Sequence, residues 1–168
     1  MRHAVTETPI GALTVVVDDG GLAGVYWPGH WTNPDEAAWG PRADAATDPA
    51  FREPVRQLVE YFAGARQEFD LLLSMPGSPR ARELWALLAA IPYGATTTYG
   101  ALAARLGGGI SARAVGGFVG RNPVSIVVPC HRVVGSTGSL TGYAGGLERK
   151  QYLLALEGAI PARAPALW

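Results

Sequence analysis

The sequence predicts an α+β chain in two parts: a small antiparallel sheet with a helix, followed by a helical half. Three observations predict it. Two β-rich runs flank a Gly/Asp turn near the N-terminus. Apolar positions fall at helical spacing from residue 51 and again through most of the second half. The charge also reverses at a Pro/Gly-rich segment: residues 1–76 hold five arginines against eleven acids, net −6, whereas residues 77–168 hold eight arginines and Lys150 against three acids, net +6. A basic half is what a polyanionic partner requires.

In order along the chain, Leu13-Thr14-Val15-Val16-Val17, Asp18-Asp19-Gly20-Gly21 and Leu22-Ala23-Gly24-Val25-Tyr26-Trp27 read as a β-hairpin. Residues 28–50 are rich in Pro, Gly, Asp and Ala and read as a long loop, tacked down by Trp27, Trp31 and Trp39. Val55, Leu58, Val59 and Phe62 give a helix from Phe51 to Gly64, and Phe69 to Leu73 reads as a third strand. Met75-Pro76-Gly77-Ser78-Pro79 is the linker, dividing domains 1–76 and 77–168. Beyond it, Leu84, Trp85, Leu87 and Leu88 mark a helix from residue 79 or 80 to Ala90. Two short helices follow, Tyr99 to Leu106 and Ala112 to Gly120, capped by the Thr96–Thr98 cluster and by Ser111. Joined by Gly107-Gly108-Gly109, they form either a helix-turn-helix or an ordinary αα-hairpin.

Composition bounds the function classes. With 168 residues, 48% hydrophobic and 17% charged, the chain can bury one substantial core or two small ones. No apolar run is long enough to cross a bilayer, and the N-terminus has no apolar leader. A single cysteine excludes an intramolecular disulfide and fits an intracellular, cytoplasmic setting. One cysteine with His3, His30 and His131 argues against structural zinc, and no cofactor is expected.

That cysteine lies in Val128-Pro129-Cys130-His131-Arg132-Val133. A thiol attacks as the thiolate, so an adjacent base or positive charge that depresses its pKa suggests a nucleophile. Neighbouring side chains on a strand point to opposite faces, so Cys130 and His131 can cooperate only if the chain turns, as Pro129 allows. A third group must orient the imidazole, and Glu148 and Glu157 are the acids available in this half outside its first helix.

Arg113-Ala114-Val115-Gly116, Asn122-Pro123 and Val127 to Val133 together resemble the signature of O6-alkylguanine-DNA alkyltransferases, the methylated-DNA–protein-cysteine methyltransferases. The resemblance extends through Gly142-Tyr143-Ala144-Gly145-Gly146, Lys150 and Leu156-Glu157-Gly158. Upstream it takes in Ile91-Pro92-Tyr93-Gly94, Thr98-Tyr99-Gly100 and Thr8-Pro9-Ile10-Gly11, so it spans nearly the whole chain.

The resemblance implies a ribonuclease-H-like N-terminal domain and a winged-helix-like C-terminal domain with a helix-turn-helix. It implies repair of double-stranded DNA by irreversible transfer of an alkyl group from guanine O6, and thymine O4, to Cys130 in a single turnover. His131 would take the thiol proton through a water, Glu157 would orient His131, and Tyr99 would neutralise the departing O6. Asn122 would brace the turn. The carbonyls of Cys130 and Val133 and the Ala144 N–H would read the base, with Tyr143 and Lys150 lining the pocket. Because a stacked base is out of reach, it must be flipped out. Arg113 would fill the gap from the minor-groove side, and Ser136 and the backbone at Gly100 would touch phosphates.

Arg80 stands where relatives usually carry an aromatic residue, and Ala144 where some carry serine. Without zinc ligands or an appended regulatory domain, the implied protein is a stand-alone monomer with no membrane partner, its cooperativity on DNA left open. The competing readings are a non-catalytic lesion-binding relative, which would lack the cysteine, and a cysteine hydrolase, which would need an oxyanion hole and no helix-turn-helix.

Overall fold

A computed structural model describes residues 1–30, 32 and 34–162. The Trp31 anchor and most of the tail beyond Ile160, expected to be mobile, lie outside the described residues. Strands β1 (Arg2–Thr8), β2 (Gly11–Asp18) and β3 (Gly21–Tyr26) form an antiparallel sheet in sequence order. The β2–β3 hairpin is the predicted one. The sequence reading missed β1, because only Ala4 in it is buried and it therefore lacks a core-facing stripe. In the following loop Trp39 stacks on Tyr26 with ring centroids 5.1 Å apart, and Trp27 is buried.

Helix α1 (Pro49–Phe62) starts at Asp48, whose carboxylate accepts from the Ala50 N–H. It packs Phe51, Leu58 and Tyr61 into the core beside the sheet. The third strand expected at Phe69–Leu73 does not form. Buried Gln57 satisfies both backbone groups of Asp70 through its side-chain amide, at 2.9 Å each, so that backbone needs no strand partner. Only Leu73 bridges Leu22 of β3.

Helix α2 (Pro79–Ala89) leads to the two-residue strand β4 (Thr97–Thr98) and then to α3 (Tyr99–Leu106) and α4 (Ala112–Gly120). Thr98 and Ser111 cap α3 and α4, accepting from Ala101 N and Ala114 N. Gly107, Gly108 and Gly109 all have φ between 67° and 69°, a left-handed run only glycine adopts without strain. Arg80 of α2 caps this turn, its guanidinium donating to the Gly107 carbonyl at 2.6 Å. A guanidinium thus holds the C-cap carbonyl of α3, where a positive charge is favoured. Strand β5 (Val133–Val134) pairs in parallel with β4, and α5 (Leu147–Leu156) closes the fold.

One apolar cluster runs from Leu13 and Val25 through Tyr61 and Leu84 to Val115 and Leu153, so both halves share a core. The free edge of β3 receives two segments. Leu22 exchanges backbone bonds with Leu72 and Ser74. Val25 donates to Pro123 O at 2.8 Å and accepts from Ser125 N at 3.3 Å. The second contact anchors the strap that carries Cys130.

Candidate active site

The strap from Asn122 to Cys130 is built from two tight turns. Val127 N donates to Ser125 O at 2.9 Å around Ile126, whose φ of 74° is rare for a β-branched residue. Cys130 N donates to Val128 O at 2.8 Å around Pro129, with φ −82° and ψ 66°, an inverse γ-turn. Buried Asn122 holds them together: its amide donates to Val128 O at 2.7 Å and its carbonyl accepts from Val124 N at 3.1 Å. Cys130, His131 and Arg132 then form a single 3-10 turn. The chain thus turns at Pro129, the condition Cys130 and His131 needed to act together.

Cys130 reaches a cavity of about 400 Å³, also lined by Tyr99, Thr141, Gly142, Tyr143 and Ala144 and by Arg113, Gly116 and Val119 of α4. Arg113, Gly100 and Ser136 are exposed. Lys150 and Val133 do not line the cavity. Lys150 is fully buried behind it, and its ammonium donates to Val133 O, to Thr141 O at 2.7 Å and to Gly142 O at 3.2 Å. It pins the cavity wall from behind, and burial lowers its pKa to about 8. The Tyr99 hydroxyl donates to Thr141 O at 3.1 Å, and burial raises its pKa.

Glu157 follows α5 directly and is completely buried as a side chain. Its Oε1 lies 2.7 Å from His131 Nε2. Arg132 donates to the same carboxylate from Nε at 2.8 Å and from Nη2 at 3.0 Å. Burial disfavours the charge, but His131 and Arg132 outweigh it and hold the carboxyl at about 2. An ionised carboxylate only accepts, so Nε2 of His131 carries the hydrogen and Nδ1 keeps the free lone pair. Nδ1 is buried and has no hydrogen-bond partner among the described residues. Burial lowers the His131 pKa despite Glu157, so the ring is neutral and Nδ1 can take a proton.

The expectation that neighbours depress the Cys130 pKa is not met. Burial raises it, outweighing the Asn122 amide and the Lys150 charge, which both favour the thiolate. Thiol and imidazole are therefore pushed toward a neutral pair, because neither ion is solvated in this interior. The sequence reading also missed three residues: Arg132, Tyr61 of α1, whose hydroxyl reaches Glu157 at 2.7 Å, and Trp27, whose indole N–H donates to the Tyr143 hydroxyl at 3.1 Å. Arg132 was legible as a neighbour of His131. Tyr61 and Trp27 carried no signal beyond being aromatic, since both reach the site across the shared core.

Residues 1–75 match the 6-O-methylguanine DNA methyltransferase ribonuclease-like domain, and residues 79–159 match the DNA binding domain of the same family. The chain is 45% identical over 157 residues to the methylated-DNA–protein-cysteine methyltransferase of Mycolicibacterium paratuberculosis, covering 94% of this chain and 92% of that protein. It is 42% identical to the protein of that name from Methanosarcina acetivorans, covering 95% and 99%. The structure superposes on that of Mycobacterium tuberculosis OGT in complex with DNA with a TM-score of 0.83 and 40% identity, covering 99% of this chain and 96% of that one. With both halves of the chain matched in this way, the protein belongs to the methylated-DNA–protein-cysteine methyltransferase family.

Proposed function

We propose that this protein repairs double-stranded DNA by moving a methyl or larger alkyl group from guanine O6, or thymine O4, to Cys130 in one irreversible turnover. The observation that carries the reading is a lone, buried thiol opening into a cavity beneath the exposed Arg113 of α4, beside a neutral imidazole whose Nδ1 is free to accept. The attacked carbon is sp³, so the step is an in-line displacement: the C–S bond forms as the C–O6 bond breaks. The thiol proton passes to His131 Nδ1, through a bridging water, and Glu157 stabilises the resulting imidazolium. Tyr99, on the cavity wall, supplies the hydroxyl that neutralises the departing guanine O6.

The target base reaches Cys130 only when extruded from the duplex. Arg113 would occupy the vacated stack, while Ser136 and the Gly100 N–H contact phosphates. Tyr143 and Ala144 would contact the base. Val133 supports this set from behind, its carbonyl already engaged by Lys150. Residues 1–76 serve as the scaffold domain and 77–168 as the DNA-binding and acceptor domain. Among the described residues no helix is long and apolar enough to cross a membrane. On the alkyl-transfer reading the protein acts in the cytoplasm as a monomer and takes no cofactor.

The test is incubation with a duplex containing O6-methylguanine, followed by intact mass and peptide mapping. A single methyl group on Cys130, absent from Cys130→Ser, is the expected result. Tight lesion binding with unmodified protein would overturn it in favour of a non-catalytic binder.

A further inference from the structure

Tyr61 belongs to the N-terminal half, 96 residues from Glu157 in sequence, yet its hydroxyl lies 2.7 Å from Glu157 Oε1. Its ring is fully buried and is held edge-on by Phe62 at 5.5 Å and by Tyr93 at 6.2 Å between centroids. The O–H therefore has one direction to point, and the ionised carboxylate can only accept it. Oε1 also receives His131 Nε2 and Arg132 Nη2, while Oε2 receives Arg132 Nε and the Gly94 N–H at 3.3 Å. Five donors on one carboxylate saturate its lone pairs. Tyr61 and His131 thus share one oxygen.

We infer that Tyr61 is a positioning residue of the proton relay, fixing Glu157 and limiting how strongly that carboxylate holds a proton on His131. The inference rests on the alkyl-transfer reading and deepens it, because it makes the N-terminal half part of the reaction machinery. A donor on Oε1 withdraws charge that would otherwise stabilise the imidazolium. Without it, Oε1 is left to His131 and Arg132, more of its charge falls on the imidazole, and His131 protonates at higher pH. The other ionisable groups facing the pair are Arg132 on the 3-10 turn, Tyr93 after α2 and Lys150 from α5. None of these changes when the Tyr61 hydroxyl is removed.

The experiment titrates the His131 imidazole by NMR in DNA-free protein. In parallel, single-turnover transfer from an O6-methylguanine duplex is followed against pH, and duplex affinity is measured. In Tyr61→Phe the imidazole midpoint rises by on the order of one pH unit. The acid limb of the rate rises with it, and transfer at pH 8 slows about tenfold at unchanged duplex affinity. Placing 3-fluorotyrosine at position 61 keeps the ring and strengthens the donor, so the midpoint moves down; this variant stands as the test if Tyr61→Phe folds poorly. A midpoint and acid limb identical in all three proteins overturn the inference, as does a rate loss that follows duplex affinity with the midpoint unmoved. Because the titration needs no DNA, failure of wild-type protein to become methylated would sink the alkyl-transfer reading separately.

Discussion

His131 Nε2 and Glu157 Oε1 lie 2.7 Å apart, with both side chains fully excluded from solvent. The contact fixes which imidazole nitrogen carries the hydrogen, and therefore which one can act as a base. The rest of the site is arranged to leave that base neutral and the thiol protonated until a substrate arrives. Such a resting state suits a protein whose acceptor is consumed, because a standing thiolate would react with any small electrophile.

Acid should destabilise the fold in two stages. The His131 pKa is lowered by folding from its ordinary value near 6.5, so below that pH the unfolded chain binds the proton better and stability falls. The Glu157 pKa is lowered from 4.5 to about 2, so its contribution is complete above pH 4.5 and is lost as pH falls toward 2. For this fully buried carboxylate the shift corresponds to about 3 kcal/mol at neutral pH. Urea midpoints between pH 7 and pH 3 should fall in wild type and fall less steeply below pH 4.5 in Glu157→Gln.

Cys130 should be a poor general nucleophile in the absence of DNA. It is 4% exposed and burial raises its pKa, so its thiolate fraction at neutral pH is small. Iodoacetamide labelling at pH 8, followed by mass, should run at least about tenfold slower than for a free thiol. Labelling at the free-thiol rate would contradict the neutral-pair resting state.

Asn122→Ala removes the amide that ties Val128 O to Val124 N, leaving Val124 N buried without a partner and Val128 O with the Cys130 N–H alone. A buried group orphaned in this way costs about 1–3 kcal/mol. The strap also holds Ile126 at positive φ, so release of this strain should loosen the turn locally. Chemical denaturation should show a loss of about 1–3 kcal/mol, the cost of one orphaned donor. Hydrogen exchange should show Val127 and Cys130 amides newly unprotected.

Arg113 is exposed at the mouth of the cavity on α4. If it holds the stack open after extrusion, Arg113→Ala should slow transfer from a duplex by about tenfold or more, since unstacking costs a few kcal/mol. Transfer from a single-stranded oligonucleotide, where little stacking must be replaced, should change far less. Equal losses on both substrates would place Arg113 in phosphate contact alone.

The sequence by itself determined the lone cysteine and its neighbouring histidine, the two glycine-linked helices and the charge division. These are local properties: a motif, a spacing, a cap or a count. It also placed α3 and α4 at their observed boundaries, because Thr98, Ser111 and the Gly107–Gly109 run are caps and stops that act within a few residues. It overestimated Phe69–Leu73, where a side chain from α1 replaced a strand partner, and it missed β1, which has almost no buried stripe.

Only the tertiary structure decided how the site is tuned. Sequence proximity suggested that His131 and the nearby charges would depress the Cys130 pKa, but removal from water outweighs them in the folded chain. Lys150 moved from the pocket lining to a brace behind it, and Tyr61 and Trp27 arrived from the other half. Desolvation and long-range hydrogen bonds depend on what surrounds a group in space, which local pattern does not encode.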